Sequence, residues 1–248
     1  MAAEDTRVTA RLLERYGIAK RLISVHEHNE QRAIGQVVRL LSAGKSLALA
    51  CDAGTPAISD PGALMVGAVR AAGFAVIPIP GPSAAVAALS TAGLAAPHFL
   101  FYGFLPPRSA QRRRALTQLA ALPYTLIFYE APHRLADCIA DMGSVLGGER
   151  GVVIARELTK LFESIHQCAL ADAGAWLAAD PNRGRGEFVL IVEGAARSAR
   201  GANEDARRTL EILLDDLPVR QAVTLAAKLT GGKRNELYKL ALELKGNA

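Results

Sequence analysis

The sequence predicts an α/β fold: a first domain on a parallel sheet, a second mixed α/β domain, and a small helical domain at the C-terminal end. Three observations carry this. Up to about residue 96, short aliphatic runs alternate with helix-period segments, the pattern of a parallel α/β sheet. From Pro97 the texture changes: Phe99-Leu100-Phe101-Tyr102 is aromatic strand material, and Pro106-Pro107 breaks the chain. Beyond a small, polar linker at 195–203, only helical periodicity is left. The expected domains are 1–96, 97–196 and 204–246.

In the first domain a helical pattern runs from Val8 to Tyr16 and closes at Gly17, a C-cap position. A strand at Leu22–Val25 and a helix over 29–43 follow, then a strand at Leu47–Ala50. Next comes the stretch Cys51-Asp52-Ala53-Gly54-Thr55-Pro56-Ala57-Ile58-Ser59-Asp60-Pro61-Gly62. Ligands of open α/β sheets bind where such loops leave the carboxyl ends of strands. Twelve residues also exceed the usual two to six of such a loop. Asp60 is expected to cap the helix running on to Ala72, with Pro61 at its first position. A strand at Val76–Ile79 leads into Pro80-Gly81-Pro82-Ser83, where Ser83 caps an alanine-rich helix to Ala92.

The second domain reads as a helix at Ser109–Leu122, a strand at Thr125–Tyr129 and a helix at Leu135–Leu146. Further strands fall at Gly151–Ala155, Ser164–Cys168 and Phe188–Val192, with a helix near 172–179. Helical patterns at 204–216, 218–229 and 233–244, divided by Pro218 and Gly231-Gly232, outline a helix-turn-helix unit.

Composition excludes several classes. Half of the 248 residues are hydrophobic, which argues against disorder, and no apolar run approaches the ~20 residues of a membrane span. Glu4 and Asp5 near the start leave neither the basic region nor the apolar core of a signal peptide. The three cysteines, Cys51, Cys138 and Cys168, are mutually isolated, the usage of a reducing cytoplasm. A net charge of +5 is compatible with a nucleic-acid partner.

The chemistry-bearing residues gather in a few places. Pro80 to Ala85 is a second glycine-containing strand-to-helix loop, whose N–H groups suit a carboxylate or hydroxyl. Arg108, Arg112, Arg113 and Arg114 surround a helix start and suit nucleic-acid phosphates. Glu130, His133 and Arg134 directly follow one apolar strand; Arg156, Glu157 and Lys160 follow the next. Charged groups at neighbouring strand ends are the raw material of acid–base and substrate-positioning sites. His26 and His28 share a face of an extended segment but have no third ligand at suitable spacing, so no metal is expected. Neither a Gly-x-Ser-x-Gly elbow, a P-loop nor a dinucleotide fingerprint is present.

Taken in order, seven segments resemble one family: Ala3 to Arg7, 51–62, Gly81 to Ala85, Tyr102 to Pro106, Tyr129 to Arg134, Ala155 to Lys160, and Gly186 to Leu190. It is the ribosomal RNA small subunit methyltransferase I family, in the tetrapyrrole methylase superfamily of S-adenosylmethionine enzymes. The resemblance implies two α/β domains with the cofactor in the cleft between them, and 2′-O-methylation of a cytidine ribose in small-subunit (16S) RNA. For the cofactor it points to Cys51, Asp52, Thr55, Ser83 and Ala84, and across the cleft to Glu130 and Leu158. It also implies a homodimer. A ribose hydroxyl needs a base, and Glu157, Glu130 and His133 are the candidates, with Arg7, Arg134 and Lys160 as phosphate or ribose contacts. Members carry a strand and a Pro-Ile-Gly-Asn-Leu type loop ahead of the segment matched by Glu4 to Arg7. This chain is expected to lack both, which would leave strand edges and apolar surface exposed in the first sheet. Two alternatives stay open: a methylase acting on a tetrapyrrole, and an RNA- or ribosome-binding chain without catalysis.

Overall fold

Two alanines hold the first sheet together. β1 (Ala2–Ala3) pairs in parallel with β2 (Ile23–Ser24) on one side and β3 (Leu49–Ala50) on the other. A two-residue strand has no readable period, so only pairing on both sides makes it a strand. In a computed structural model the chain is described at residues 1–26, 29–94, 97–196 and 199–246, with backbone alone at 199–205 and 246. It divides into two compact units, one of residues 1–118 and 125–193, the other of 119–124 and 194–248.

α1 (Thr6–Arg15) starts at Asp5, whose carboxylate accepts the Arg7 N–H at 2.8 Å. α2 (Glu30–Ser42) and α3 (Ala63–Ala71) bury Ala33 with Val37 and Met65 with Val69, i,i+4 pairs, in one cluster with Ala2 and Val25. Asp60 does not cap α3, whose N-cap is Gly62 at φ 130°. The buried Glu30 carboxylate reaches over from α2 instead and accepts the Met65 N–H at 2.9 Å. Sequence periodicity sees caps only within a few residues of a helix, so this one was out of its range. Val76–Ile79, expected as a strand, has no ladder partner among the described residues, and Ile77 and Ile79 are 79% and 80% exposed. A strand exists only where a neighbour takes its N–H and C=O groups, and among the described residues the two outer strands of the first sheet, β2 and β3, each pair with β1 alone.

α4 (Ala84–Thr91) leads into the second sheet, order β4-β5-β8-β6-β7: β4 (Phe99–Phe104), β5 (Thr125–Glu130), β6 (Gly151–Arg156), β7 (Ser164–Ala169) and β8 (Phe188–Val192). β4 and β5 run parallel and the other neighbours antiparallel. β5 and β8 are central and read as unbroken apolar runs because both faces are covered. α4 lays Ala85, Ala88 and Ala92 on Ile127, Val153, Val189 and Ile191, so a helix of the predicted first domain belongs to the core of the second sheet. α5 (Ser109–Leu119), α6 (Leu135–Leu146) and α7 (Leu170–Ala178) complete this unit.

The second unit holds α8 (Ala199–Asp216), α9 (Val219–Thr230) and α10 (Arg234–Gly246) around Leu210, Ala222, Val223, Ala226, Leu237 and Ala241. α8 starts at Ala199, so the stretch 195–203, expected as a linker, is helical over its second half. Gly231, at φ 68°, closes α9 in the left-handed conformation that glycine adopts without strain. Among the described residues no helix is long and apolar enough to cross a membrane.

Candidate active site

The glycine-containing loops at 51–62 and 80–85 and the strand ends of the second sheet line a cavity of about 350 Å³. Ala53 to Thr55, Ile58 to Asp60, Ser83 and Ala84 line one side. Phe104, Tyr129 to Pro132, Leu158 and Glu187 to Val189 line the other. The loops are tied to each other and to the sheet. The Thr55 hydroxyl donates to the Pro82 carbonyl at 2.9 Å. The Tyr129 hydroxyl accepts the Ala85 N–H at 3.1 Å, which takes up one of the free donors at the start of α4. β4 carries a bulge at Tyr102, and a β-carbon on Gly103 (φ 80°) would lie 3.1 Å from the Ser59 hydroxyl.

Backbone strain is concentrated on these walls. Among the described residues, the non-glycine positions with positive φ are Ala57, Ser59, Glu157 and Thr159, two in each of the facing loops. Such conformations cost of order 1–3 kcal/mol each and persist where the surroundings over-determine them. Here they turn Ile58 and Leu158 into the cavity wall.

Charge is arranged unevenly. On the first-sheet side, burial, then Glu4, then Asp52, push the Asp60 carboxyl above the ordinary carboxylate range. Burial, followed by Asp60, pushes the Cys51 thiol up to about 11, so it is no nucleophile. On the far side, Glu157 accepts from Lys160 Nζ at 3.0 Å and from the Glu187 N–H at 2.9 Å, and these bonds hold its carboxyl below the ordinary range. Lys160 also donates to Glu187 at 2.9 Å.

Of the residues singled out for the cofactor, Thr55, Ser83, Ala84, Glu130 and Leu158 line the cavity, whereas Cys51 and Asp52 do not. The Cys51 thiol donates to the Ala53 carbonyl, and Asp52 exchanges hydrogen bonds with Asp5 and Glu4, so both shape the loop from behind. Glu130 is removed from the candidate bases. Its side chain is fully buried, accepts the Ala131 N–H at 2.9 Å and lies 3.1 Å from Arg134 Nε. Arg134 is accordingly its counterion, with a further bond to the Leu105 carbonyl, and not an open phosphate contact.

Arg112 is corrected likewise. Its side chain is 3% exposed and bonds Asp141 at 2.7 Å, because α5 packs on α6 through this pair. Arg108 and Arg114 are exposed, Arg113 is half exposed beside Ser144, and Arg7 is 85% exposed. His133 is exposed on a single tight turn, Pro132–Arg134. Asp60, expected only as a helix cap, and Phe104, Tyr129 and Glu187 line the cavity although they were not among the site candidates; all four fall within the segments that carry the family resemblance. No group of three or more His, Cys, Asp and Glu forms a metal site among the described residues; Glu27 and His28 lie outside them.

Residues 2–174 match the profile of the Tetrapyrrole (Corrin/Porphyrin) Methylases, and residues 200–245 that of the RsmI C-terminal HTH domain. The chain is similar to Ribosomal RNA small subunit methyltransferase I of Escherichia coli O157:H7, at 49% identity over 99% of this chain and 86% of the relative. The enzyme of that name from Pseudomonas aeruginosa is 47% identical over 100% and 89%. The chain belongs to this methyltransferase family. Solved structures agree on the fold: the methyltransferase CobJ superposes with a TM-score of 0.54 at 20% identity, over 79% of this chain and 93% of that one. Uroporphyrin-III C-methyl transferase from Thermus thermophilus, complexed with S-adenyl homocysteine, gives 0.51 at 14% identity over 78% and 84%. Family membership makes the chain an S-adenosylmethionine-dependent methyltransferase.

The cavity suits that cofactor. Its volume lies within the range of small-molecule sites. It offers apolar walls in Ile58, Phe104, Leu158 and Val189, an anion-compatible helix start at Ala84, and a carboxylate at Asp60 on the opposite chemical footing.

Proposed function

We propose that this chain methylates the ribose 2′-hydroxyl of a cytidine in small-subunit (16S) ribosomal RNA, with Thr55, Ser83, Ala84, Asp60, Tyr129 and Leu158 holding S-adenosylmethionine. The observation that carries the RNA reading over a tetrapyrrole substrate is the joint match of the methylase profile and the HTH profile on one chain. The bound cofactor supplies a methyl group on a sulfonium, a carbon already activated for in-line displacement. The protein's own task is alignment and removal of the hydroxyl proton.

Glu157 is the proton acceptor best supported here. It is ionised, 17% exposed, and fixed by Lys160 and the Glu187 N–H beside the cavity residue Leu158. Arg7, Arg108 and Arg113 are exposed enough to meet RNA phosphates. A cytoplasmic homodimer is proposed with it; Leu161 and Phe162, 89% and 65% exposed, are apolar surface for a second copy to cover, and the cysteines described are free thiols.

The test is transfer of labelled methyl from the cofactor to small subunits that lack the modification. Label on a cytidine 2′-oxygen supports the reading, and label accepted by a precorrin in its place overturns it. Glu157→Gln is expected to lower kcat about 10²- to 10⁴-fold with cofactor affinity kept; a larger loss in His133→Ala would move the base to His133.

A further inference from the structure

α9 and α10 repeat one pattern. Arg220, Gln221 and Thr224 stand at i, i+1 and i+4 on α9, and Arg234, Asn235 and Tyr238 do so on α10. This spacing keeps each set on one side of its helix, while Ala222, Ala226, Leu237 and Ala241 turn into the core and Val223 bridges core and groove. Together the two sets line a groove of about 690 Å³. Beside Val223 and Leu225, its wall includes two guanidinium groups, two side-chain amides, a hydroxyl and a phenol ring, and among the described residues no carboxylate. Arg234 crosses the groove to donate from Nη2 to the Thr224 hydroxyl at 2.6 Å, which fixes a fork that has five donors in all. Tyr238 is 42% exposed.

Each of these groups has a match on single-stranded RNA. Fixed guanidinium forks take phosphate oxygens, side-chain amides take base edges, and a half-exposed ring takes a base face. An acidic peptide would meet the arginines but leave the amides and ring without a role. We propose that the groove between α9 and α10 is an RNA-binding site in its own right. It takes a single-stranded segment of the substrate, with phosphates at Arg220 and Arg234 and a base stacked on Tyr238. This rests on the RNA reading above and adds a location for part of the affinity.

The experiment uses the full chain and a fluorescent single-stranded RNA oligonucleotide titrated at several salt concentrations. Tyr238→Ala is expected to weaken binding about fivefold to a hundredfold, and Tyr238→Phe, which keeps the ring, to restore it. Arg220→Ala and Arg234→Ala should each reduce the salt slope by about 0.7. Cofactor titrations and helical circular dichroism should match the parent chain in all four. Parent-like oligonucleotide binding in Tyr238→Ala and both arginine variants overturns the proposal. So does loss of binding to whole subunits with oligonucleotide binding intact, which would assign the groove to a ribosomal protein. Failure of the RNA reading looks different: the parent chain then methylates no subunit RNA at all.

Discussion

Gly186 leaves the space that Glu157 occupies: a β-carbon on Gly186 would stand 2.5 Å from the Glu157 Cγ. Gly186 also has φ 102°, a conformation L-residues rarely adopt. The glycine precedes Glu187, whose N–H fixes the Glu157 carboxylate, so one backbone segment both makes room for the side chain and orients it. Gly186→Ala should therefore displace Glu157 and the adjoining Leu158 wall. The expected result is a drop in kcat/KM of about a hundredfold and a stability loss of about 1–3 kcal/mol, read from kinetics and denaturant unfolding.

Tyr129→Phe removes the acceptor of the Ala85 N–H without emptying the space of the ring, which packs edge-on against Phe101 and Phe104. About 1 kcal/mol of stability should go with the hydrogen bond. Because that bond sets the start of α4 at the cavity, cofactor affinity by calorimetry should fall several-fold while the unfolding transition stays cooperative.

Arg112 and Asp141 should behave as one structural unit. Asp141→Ala leaves a guanidinium buried at 3% exposure without its carboxylate, and removal of one partner from such a pair costs about 3–5 kcal/mol. Arg108→Ala, by contrast, should leave the melting temperature unchanged and reduce the salt slope of RNA binding by about one. Equal thermal losses in the two variants would contradict this division.

Asp60 is predicted to trade stability for binding. Its carboxyl is raised in the folded protein, first by burial and then by Glu4 and Asp52. A carboxyl raised above its unfolded value near 3.9 contributes stability that is fully present below that pH and lost as pH climbs through the folded value. Asp60→Asn should thus raise the melting temperature at pH 7 and have little effect at pH 3. The same variant should bind the cationic cofactor more weakly at pH 7; calorimetry and thermal melts on one preparation check both halves.

The helices at Leu135–Leu146 and 30–42, and the strands β5 and β8, were legible because their apolar spacing is dictated by the surfaces they bury. The loops at 51–62 and 80–85 were legible as candidate site loops because glycine, proline and length mark them locally, and residues of both line the cavity. The seven ordered segments were specific enough to imply the family, and the profile match and the relatives now show it.

Side-chain pairing was not legible. Arg112 and Arg113 are neighbours of one type that face the same Asp141 carboxylate, 29 and 28 residues further on, yet one is sealed against it at 2.7 Å and the other is half exposed and 3.7 Å away. Glu130 and Glu157 end successive predicted strands, yet one is a buried counterion and the other a fixed, reachable carboxylate. The sequence by itself determined which segments are apolar on one face, where the chain must turn, and which charged residues lie at strand ends. Those are local properties, set by side-chain chemistry and φ,ψ preference. Which charges are exposed, that Glu30 caps α3, that Ala2–Ala3 is a strand and Val76–Ile79 is not, were decided by the tertiary structure. Each depends on what a distant segment places alongside, because burial, ion pairing and strand pairing are properties of neighbours in space.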